Sequence, residues 1–276
     1  MNSEILLVDK PAGMSSFGVV ARVRRKLSEA AGTVSVQGKD GTWREKRRKV
    51  KVGHTGTLDP FATGLLILLT GKATKRAGEF LKLDKEYITT IKLGYTSSTG
   101  DVEGEVRPYG QAERLSEEQF SAEPGQNHGP EGDSILRGSP APQISDWPDD
   151  MILLPSMSQV EEVIQSFIGE IEQTVPNFSA VKINGQRAYK LAREGKLVEM
   201  PRRKVRIYEL QILRYEWPEL ELRCKVSSGT YIRTLGEDIG QKLGVGGYLT
   251  ALRRTQVGPY RIEGAKTLAE LGIEEG

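Results

Sequence analysis

The sequence predicts an α+β protein built on a mixed, mainly antiparallel central sheet flanked by helices and loops. Apolar segments of period two follow one another in hairpin-like order, amphipathic helical segments stand apart from one another, and no internal repeat is evident. With 276 residues, the chain could hold one large domain or two ordinary ones of roughly 100 to 200 residues each. Hydrophobic and charged contents of 37% and 28% are typical of a globular protein.

The first elements are predicted in the N-terminal third. A strand over residues 6–8 precedes a helix over residues 17–27, for which Ser15 or Ser16 is the predicted N-cap. A buried strand over 64–70 and a helix over 73–81 follow. Residues 86–93 alternate as a strand with one apolar face, made by Tyr87, Thr89, Ile91 and Leu93.

The C-terminal part is also predicted to contain both strands and helices. The predicted elements are a helix over 158–168, a strand over 178–183, a helix over 187–194 that Gly195 ends, and strands over 204–215 and 220–227. The last of these strands alternates Leu220, Leu222, Cys224 and Val226 inward. After it, a helix is predicted with Ile232, Leu235, Ile239 and Leu243 on one face.

Two segments lack apolar periodicity. Residues 29–51 are predicted to be a basic, mobile loop, because six of the eight positions from 44 to 51 are Arg or Lys. Residues 121–157 are rich in Pro, Gly and acidic residues and are predicted to be a second inserted loop, without chemistry of its own.

Charge is distributed unevenly along the chain. The net charge is only +2, but residues 1–100 carry +9, residues 101–175 carry −13 and residues 176–276 carry +6. If the two basic parts meet in the fold, they form a cationic surface of the kind that nucleic-acid phosphates require. A solvated charge run without a partner is the alternative interpretation of residues 44–51.

Several classes of protein are disfavoured by composition. The longest apolar run, residues 65–69, is far shorter than the ~20 residues of a membrane span, and the N-terminus lacks the pattern of a signal peptide. We therefore expect a cytoplasmic protein that does not associate with membranes. Cys224 is the single cysteine and His54 and His128 are the two histidines, so a protein metal site is not expected.

The segment GHTGTLDPFATGLLILLTGK, residues 53–72, places Asp59 among small residues beside an apolar run. Gly53, Gly56 and Gly64 permit close approach by a bulky substrate, while Pro60 biases Asp59 toward an extended or turn conformation. The alternative interpretation is that this Asp-Pro pair only forms a turn, as most such pairs do.

Four segments carry a family resemblance: DKPAGMSS at 9–16, GHTGTLDPFATG at 53–64, SAVKINGQRAYKLAREG at 179–195 and SSGTYIRTLGEDIG at 227–240. Together with LRRTQVG at 252–258, they resemble the TruB family of tRNA pseudouridine synthases. The resemblance implies the pseudouridine synthase fold and the isomerisation of uridine to pseudouridine at position 55 in the T loop of tRNA. It also implies base flipping and catalysis without a cofactor or a metal.

The same resemblance implies roles for individual residues. Asp59 matches the catalytic aspartate, and Arg233 matches the arginine that pairs with it. A cation within ~4 to 6 Å is expected to lower the pKa of the aspartate by ~1 to 3 units. Tyr87 matches the tyrosine that stacks on the target base and is a candidate for handling the proton. The implied substrate-binding residues are His54, Tyr231, Leu252, Lys10 and Lys182, with Lys10 expected to support the catalytic loop.

The predicted domain organisation follows from where the matching segments lie. Residues 1–258 form the catalytic domain, and residues 259–276 form a short tail, too short for a complete C-terminal RNA-binding domain. The expected partner is the T arm of tRNA, bound by a monomer without an obligatory protein partner. Two alternatives remain open: a tRNA-binding and refolding protein without chemistry, and a guide-dependent pseudouridylase.

Overall fold

A computed structural model describes residues 4–37, 39–40, 42–110, 154–183, 185–196 and 198–274. Most of the predicted loop at 121–157, including His128, lies outside these residues. No helix within the described ranges combines the length and the apolar character needed to cross a membrane.

The described residues form fifteen strands and five α-helices. The strands are β1 (Ile5–Lys10), β2 (Thr33–Gln37), β3 (Trp43–Arg47), β4 (Val52–His54), β5 (Thr63–Thr70), β6 (Lys85–Leu93), β7 (Tyr95–Ser97), β8 (Val106–Pro108), β9 (Gly169–Thr174), β10 (Lys182–Ile183), β11 (Gln186–Arg187), β12 (Arg202–Glu216), β13 (Glu219–Val226), β14 (Gly247–Val257) and β15 (Tyr260–Arg261). The helices are α1 (Ser16–Ala30), α2 (Ala77–Leu81), α3 (Met157–Ser166), α4 (Ala188–Arg193) and α5 (Ile232–Lys242). Short 3-10 helices cover Gly71–Arg76, Ile262–Gly264 and Ala269–Leu271.

A nine-stranded sheet organises this part of the chain. Its order is β1-β5-β14-β6-β13-β12-β9, with β4 paired to β5 and β15 paired to β14. Among the described pairings of this sheet, β14 with β5 is parallel and the others are antiparallel. The predicted α+β class with a mixed, mainly antiparallel sheet is therefore confirmed.

The main core lies between one face of this sheet and helix α5. The inward side chains of β6 and β13 and the apolar stripe of α5 follow the predicted periodicities; they include Tyr87, Ile91, Leu93, Leu220, Leu222, Cys224, Val226, Ile232, Leu235 and Ile239. Two glycines of α5 face β14. A Cβ on Gly236 would overlap the Leu249 side chain, and one on Gly240 would overlap the backbone at Gly246. Their absent side chains allow α5 to pack close to the sheet.

Helix α1 begins where the sequence predicts. Ser15 is its N-cap, and the Ser15 side chain accepts a hydrogen bond from the Gly18 backbone N–H at 3.0 Å. Val19, Val20 and Val23 are buried against β1 and β5 in a second cluster. The first turn of α1 is thereby fixed beside the segment that carries Asp59.

Several local predictions are wrong. Residues 29–51 are not an irregular loop, because β2 and β3 pair as an antiparallel hairpin over five residue pairs. The predicted strand over 178–183 is reduced to Lys182–Ile183, and the helix over 73–81 is divided into a 3-10 helix and α2. Strands β9 and β14 were not predicted. In β14 the alternation of apolar and polar residues is broken, because Arg254 is buried where an apolar residue is expected.

Gly64 provides a test of this architecture at the parallel contact between β5 and β14. Its φ is +101°, and a Cβ there would overlap the backbone carbonyl oxygen of Arg254 and lie 2.8 Å from the Arg254 nitrogen. We expect Gly64→Ala to lower the free energy of unfolding by ~2 kcal/mol or more, measured by urea denaturation.

Gly78→Ala is the matched control. Gly78 lies in α2, where an added Cβ would have no atom within 4 Å, so the substitution should raise stability by up to ~1 kcal/mol. Equal effects at the two glycines would contradict this account of the β5–β14 contact.

Candidate active site

A cavity of about 1400 Å³ opens on the sheet beside Asp59. It is lined by the first turn of α1, the Asp59 loop, the loop after β7, the segments around Phe178 and α4, the start of α5, and β14. Lining residues from these elements include Phe17, His54, Asp59, Tyr87, Asp101, Glu103, Phe178, Arg187, Tyr231, Arg233, Leu252 and Arg254.

Two buried side chains, Ser16 and Lys10, hold the loop that carries Asp59 through hydrogen bonds to its backbone. The Ser16 hydroxyl donates to the Leu58 carbonyl and accepts from the Leu58 N–H, both at 2.8 Å. Lys10 is fully buried, and its Nζ donates to the carbonyls of Pro11, Met14 and Pro60 at 2.8, 2.5 and 3.0 Å. Lys10 does not line the cavity, and its contacts are those of a residue that supports the loop.

Arg233 is the centre of the site. Its side chain is 5% exposed, and its Nε lies 3.1 Å from Oδ2 of Asp59, whose side chain is 34% exposed. Its Nη1 lies 3.2 Å from Oδ2 of Asp101. The guanidinium also donates to the carbonyls of Thr99 and Phe178, each at 2.8 Å. Arg233 therefore orients Asp59 toward the cavity while its own charge is compensated inside the protein.

The pKa of Asp59 is raised, although Arg233 acts on it in the predicted direction. Burial is the largest influence and raises this pKa above its ordinary value. The Arg233 guanidinium lowers the pKa, as predicted, but burial outweighs it, and the nearby Asp101 carboxylate raises the pKa further. The sequence shows the charged partner but not the loss of water around the carboxylate, so the net direction of the pKa comes from the tertiary structure.

Asp101 was not predicted. Its carboxylate is 2% exposed and accepts hydrogen bonds from Thr99 Oγ1 at 2.6 Å and from the Glu103 N–H at 3.0 Å. The only signal in the sequence is a polar turn, Ser98 to Gly104, in which an aspartate usually caps its own backbone. The tertiary structure adds Arg233 to that turn.

Arg254 is a second unpredicted residue. It is 3% exposed and lines the cavity. Its guanidinium donates to the carbonyls of Leu65, Thr57 and Gly56 at 2.8, 3.4 and 3.2 Å. Two consecutive arginines in a sequence resemble a surface charge pair, and Arg253 does pair with the partly exposed Asp9 at 2.7 Å. Arg254 instead ties β14 to the backbone just before Asp59.

Tyr87 and Leu252 form an apolar wall of the cavity. Each is 8% exposed, and they lie on the neighbouring strands β6 and β14, where Leu252 is opposite Thr89 and Arg254 is opposite Tyr87. The structure brings this wall to the same cavity as Asp59 and Arg233.

Tyr231 lies directly before α5 and lines the cavity. The fully buried Gln173 holds its backbone, since the Gln173 amide donates to the Tyr231 carbonyl at 3.2 Å and accepts from the Tyr231 N–H at 3.1 Å. The Arg203 guanidinium lies 5.5 Å from the centre of the Tyr231 ring, a favourable cation–π contact. Gln173 was missed by the sequence reasoning because β9 was missed.

His54 and Lys182 complete the predicted set. His54 lines the cavity and accepts a hydrogen bond from the Gly56 N–H at 3.4 Å through Nδ1. Burial, followed by the charges of Arg254 and Arg187, lowers the pKa of His54, which favours the neutral imidazole. Lys182 is exposed on the short hairpin of β10 and β11, outside the residues that line the cavity. The structure does not bring Lys182 to the site.

Among the described residues, no group of three His, Cys, Asp or Glu side chains is arranged to hold a metal ion. The site thus combines a mixed sheet, an arginine-paired aspartate and a cavity with aromatic walls. A family model described as the TruB family pseudouridylate synthase N-terminal domain matches residues 44–131 and 148–232. A second, the tRNA pseudouridylate synthase B C-terminal domain, matches residues 233–273. The chain belongs to the TruB family of pseudouridylate synthases.

Two curated relatives illustrate the similarity. The chain is 43% identical to tRNA pseudouridine synthase B of Francisella philomiragia over 80% of its own length and 60% of the relative. It is 38% identical to the enzyme of the same name from Phocaeicola vulgatus, over 94% of this chain and 88% of that one. The chain therefore spans less than two thirds of the Francisella protein and most of the Phocaeicola protein.

Solved structures show the same fold. A crystal structure of a Cbf5-Nop10-Gar1 complex matches with a TM-score of 0.56 and 26% identity, over 98% of this chain and 57% of that chain.

Lys10 offers a test of the support beneath Asp59. Burial lowers its pKa to about 8, against 10.5 for an exposed lysine. Between these two pH values the unfolded chain binds the proton and the folded chain has released it, so Lys10 should make the folded state more stable as pH rises. From pH 7 to 9.5 this gain is ~2 kcal/mol.

Lys10→Met removes this titration while leaving the other shifted lysine, Lys85, in place. Urea denaturation of both proteins at several pH values measures the difference. The wild type should gain stability relative to the variant as pH rises, and parallel curves would contradict the assignment.

Proposed function

We propose that this protein isomerises uridine to pseudouridine at position 55 in the T loop of tRNA, with Asp59 as the reactive carboxylate. The observation that carries the proposal is the 3.1 Å contact between Asp59 and the buried Arg233 inside an open cavity. The relatives named tRNA pseudouridine synthase B support tRNA as the substrate.

The reaction explains why a carboxylate is needed. The bond from ribose carbon 1′ to uracil nitrogen 1 breaks, the base rotates, and carbon 5 of the base bonds to the same sugar carbon. The proton on carbon 5 leaves, nitrogen 1 gains one, and the product is an isomer of the substrate. The Asp59 carboxylate can attack the sugar, attack the base or assist the departure of the base, and each route requires the ionised form.

The walls of the cavity account for binding of an extruded base. Stacking of a base on an aromatic ring is worth ~1 to 3 kcal/mol, and extrusion of a nucleotide costs a few kcal/mol. We assign this stacking to Tyr87, with Tyr231 and Leu252 closing the pocket around the base. Tyr87 is also a candidate for moving the proton from carbon 5. His54, between the cavity and the Asp59 loop, contacts the RNA beside the target.

We further propose a monomer that acts on tRNA in the cytoplasm, with the RNA as its sole required partner. The T arm is the part of the tRNA that enters the cavity. The cavity is formed by one chain, which supports activity of the monomer.

The direct test is conversion of an unmodified tRNA transcript by the purified protein, with pseudouridine mapped to single-nucleotide resolution. The wild type should form pseudouridine at position 55, and Asp59→Asn should reduce the rate by at least ~10³-fold, because no carboxylate remains to react. Glu263→Gln, a change at an exposed carboxylate outside the cavity lining, is the control. No product from the wild type, or equal rates for Asp59→Asn and wild type, would overturn the proposal.

The pH dependence tests the electrostatics of the site. Since Asp59 must be ionised and its pKa is raised, the single-turnover rate should fall with decreasing pH at a higher pH than an ordinary aspartate would give. Asp101→Asn removes a charge that raises this pKa, so the acid limb should move to lower pH. An acid limb that stays in place or moves upward would contradict the assignment of the titrating group to Asp59.

A further inference from the structure

The strongest concentration of positive charge lies outside the cavity, on residues 22–51, which we call the basic arm. It comprises most of α1, the β2–β3 hairpin and the segment leading to β4. It holds 11 basic and 3 acidic residues, a net charge of +8, whereas the entire chain carries +2. Both strands of the hairpin are largely exposed, so core packing does not explain this charge.

The hairpin is attached firmly to the body of the protein. The Arg48 N–H donates to the Gly32 carbonyl at 3.0 Å and closes the base of the hairpin. Val50 is buried, and its N–H donates to the Ser28 hydroxyl of α1 at 3.1 Å. The Lys51 carbonyl accepts from the Gly71 N–H at 2.9 Å. The arm therefore presents its cations at a defined place relative to α1.

Some cations of the arm have acidic partners and others do not. Arg44 pairs with Asp40 at 2.7 Å, and Arg47 pairs with Glu29 at 3.5 Å. On the second strand of the hairpin and the segment after it, Lys46, Arg48, Lys49 and Lys51 have no carboxylate within ion-pair distance among the described residues. All four are exposed and are free to contact an anionic partner.

The unpaired cations of the arm are too far from Asp59 to touch the reacting nucleotide. Helix α1 starts at Ser16, whose hydroxyl binds Leu58 beside Asp59. Val50 is bound to Ser28, twelve residues further along α1, which is ~18 Å along the helix axis. The cations on either side of Val50 consequently reach a part of the substrate that lies ~15 to 25 Å from the flipped base.

We propose that the basic arm binds the phosphate backbone of the double-helical RNA stem that adjoins the target loop. This inference rests on the RNA substrate of the proposed function. Double-stranded RNA is recognised through shape and backbone, because its major groove is too deep and narrow for side chains to read. A row of flexible lysine and arginine side chains fits such a stem, whereas the aromatic cavity fits the unpaired loop. Trp43, 68% exposed at the end of the hairpin, reports on the contact.

The test variant carries Lys46→Gln, Arg48→Gln, Lys49→Gln and Lys51→Gln. Each phosphate contact contributes to the slope of log K against log salt with a coefficient of roughly 0.7 to 0.9. We expect the variant to bind full-length tRNA transcript at least ~10-fold more weakly at 0.1 M salt, with a slope shallower by ~2 to 4. The single-turnover rate at saturating RNA should stay within ~2-fold of wild type, because no reacting group is changed.

The matched control removes four exposed cations elsewhere that likewise have no ion pair among the described residues: Arg206→Gln, Lys225→Gln, Lys242→Gln and Lys266→Gln. A second substrate, the loop with a stem of only a few base pairs, is too short to reach the arm, and the test variant should bind it as tightly as wild type does. Unchanged affinity and slope for full-length tRNA would overturn the proposal, as would equal losses in the test and control variants. Absence of pseudouridine from the wild-type reaction would instead count against the proposed function.

RNA-dependent quenching of Trp43 fluorescence, compared with Trp43→Phe, locates the contact independently, and no quenching would also count against binding of RNA by the arm.

Discussion

The site depends on the buried guanidinium of Arg233. An arginine with 5% exposure has lost most of its hydration, which is costly unless charges and hydrogen bonds replace the water. Asp59, Asp101 and the carbonyls of Thr99 and Phe178 replace it. These groups come from separate parts of the chain, so compensation of one charge also assembles the walls of the cavity around the Asp59 carboxylate.

The sheet and α5 fix where that guanidinium lies. Gly236 and Gly240 let α5 approach β14, and Gly64 lets β5 lie close to the backbone of its parallel neighbour at Arg254. Arg254 and Lys10 then hold the loop around Asp59 through its carbonyl groups. The carboxylate is thus positioned by backbone contacts on one side and by an ion pair on the other, which leaves its remaining surface for a substrate.

Burial and the cations near Asp59 act on its pKa in opposite directions. Loss of water raises the pKa of Asp59, and Asp101 raises it further, while Arg233 favours the ionised form. Poor solvation would make this carboxylate more reactive only if its charge persists, and Arg233 favours the charged form. Under the proposed function, affinity for a large RNA need not come from this confined site, since the basic arm carries a net charge of +8 outside the cavity.

The sequence by itself determined the elements with clear periodicity, namely α1, β5, β6, β13 and α5. Through family motifs it also pointed to five residues that line one cavity: Asp59, Arg233, Tyr87, Tyr231 and Leu252. It did so because period and local turn chemistry are written in neighbouring residues. Only the tertiary structure decided the pairing of β14 and β9, the hairpin at 33–47, the partners Asp101 and Arg254, the distance of Lys182 from the cavity and the direction of the Asp59 pKa. Each of these depends on residues that are far apart in sequence and on the exclusion of water, which no local pattern records.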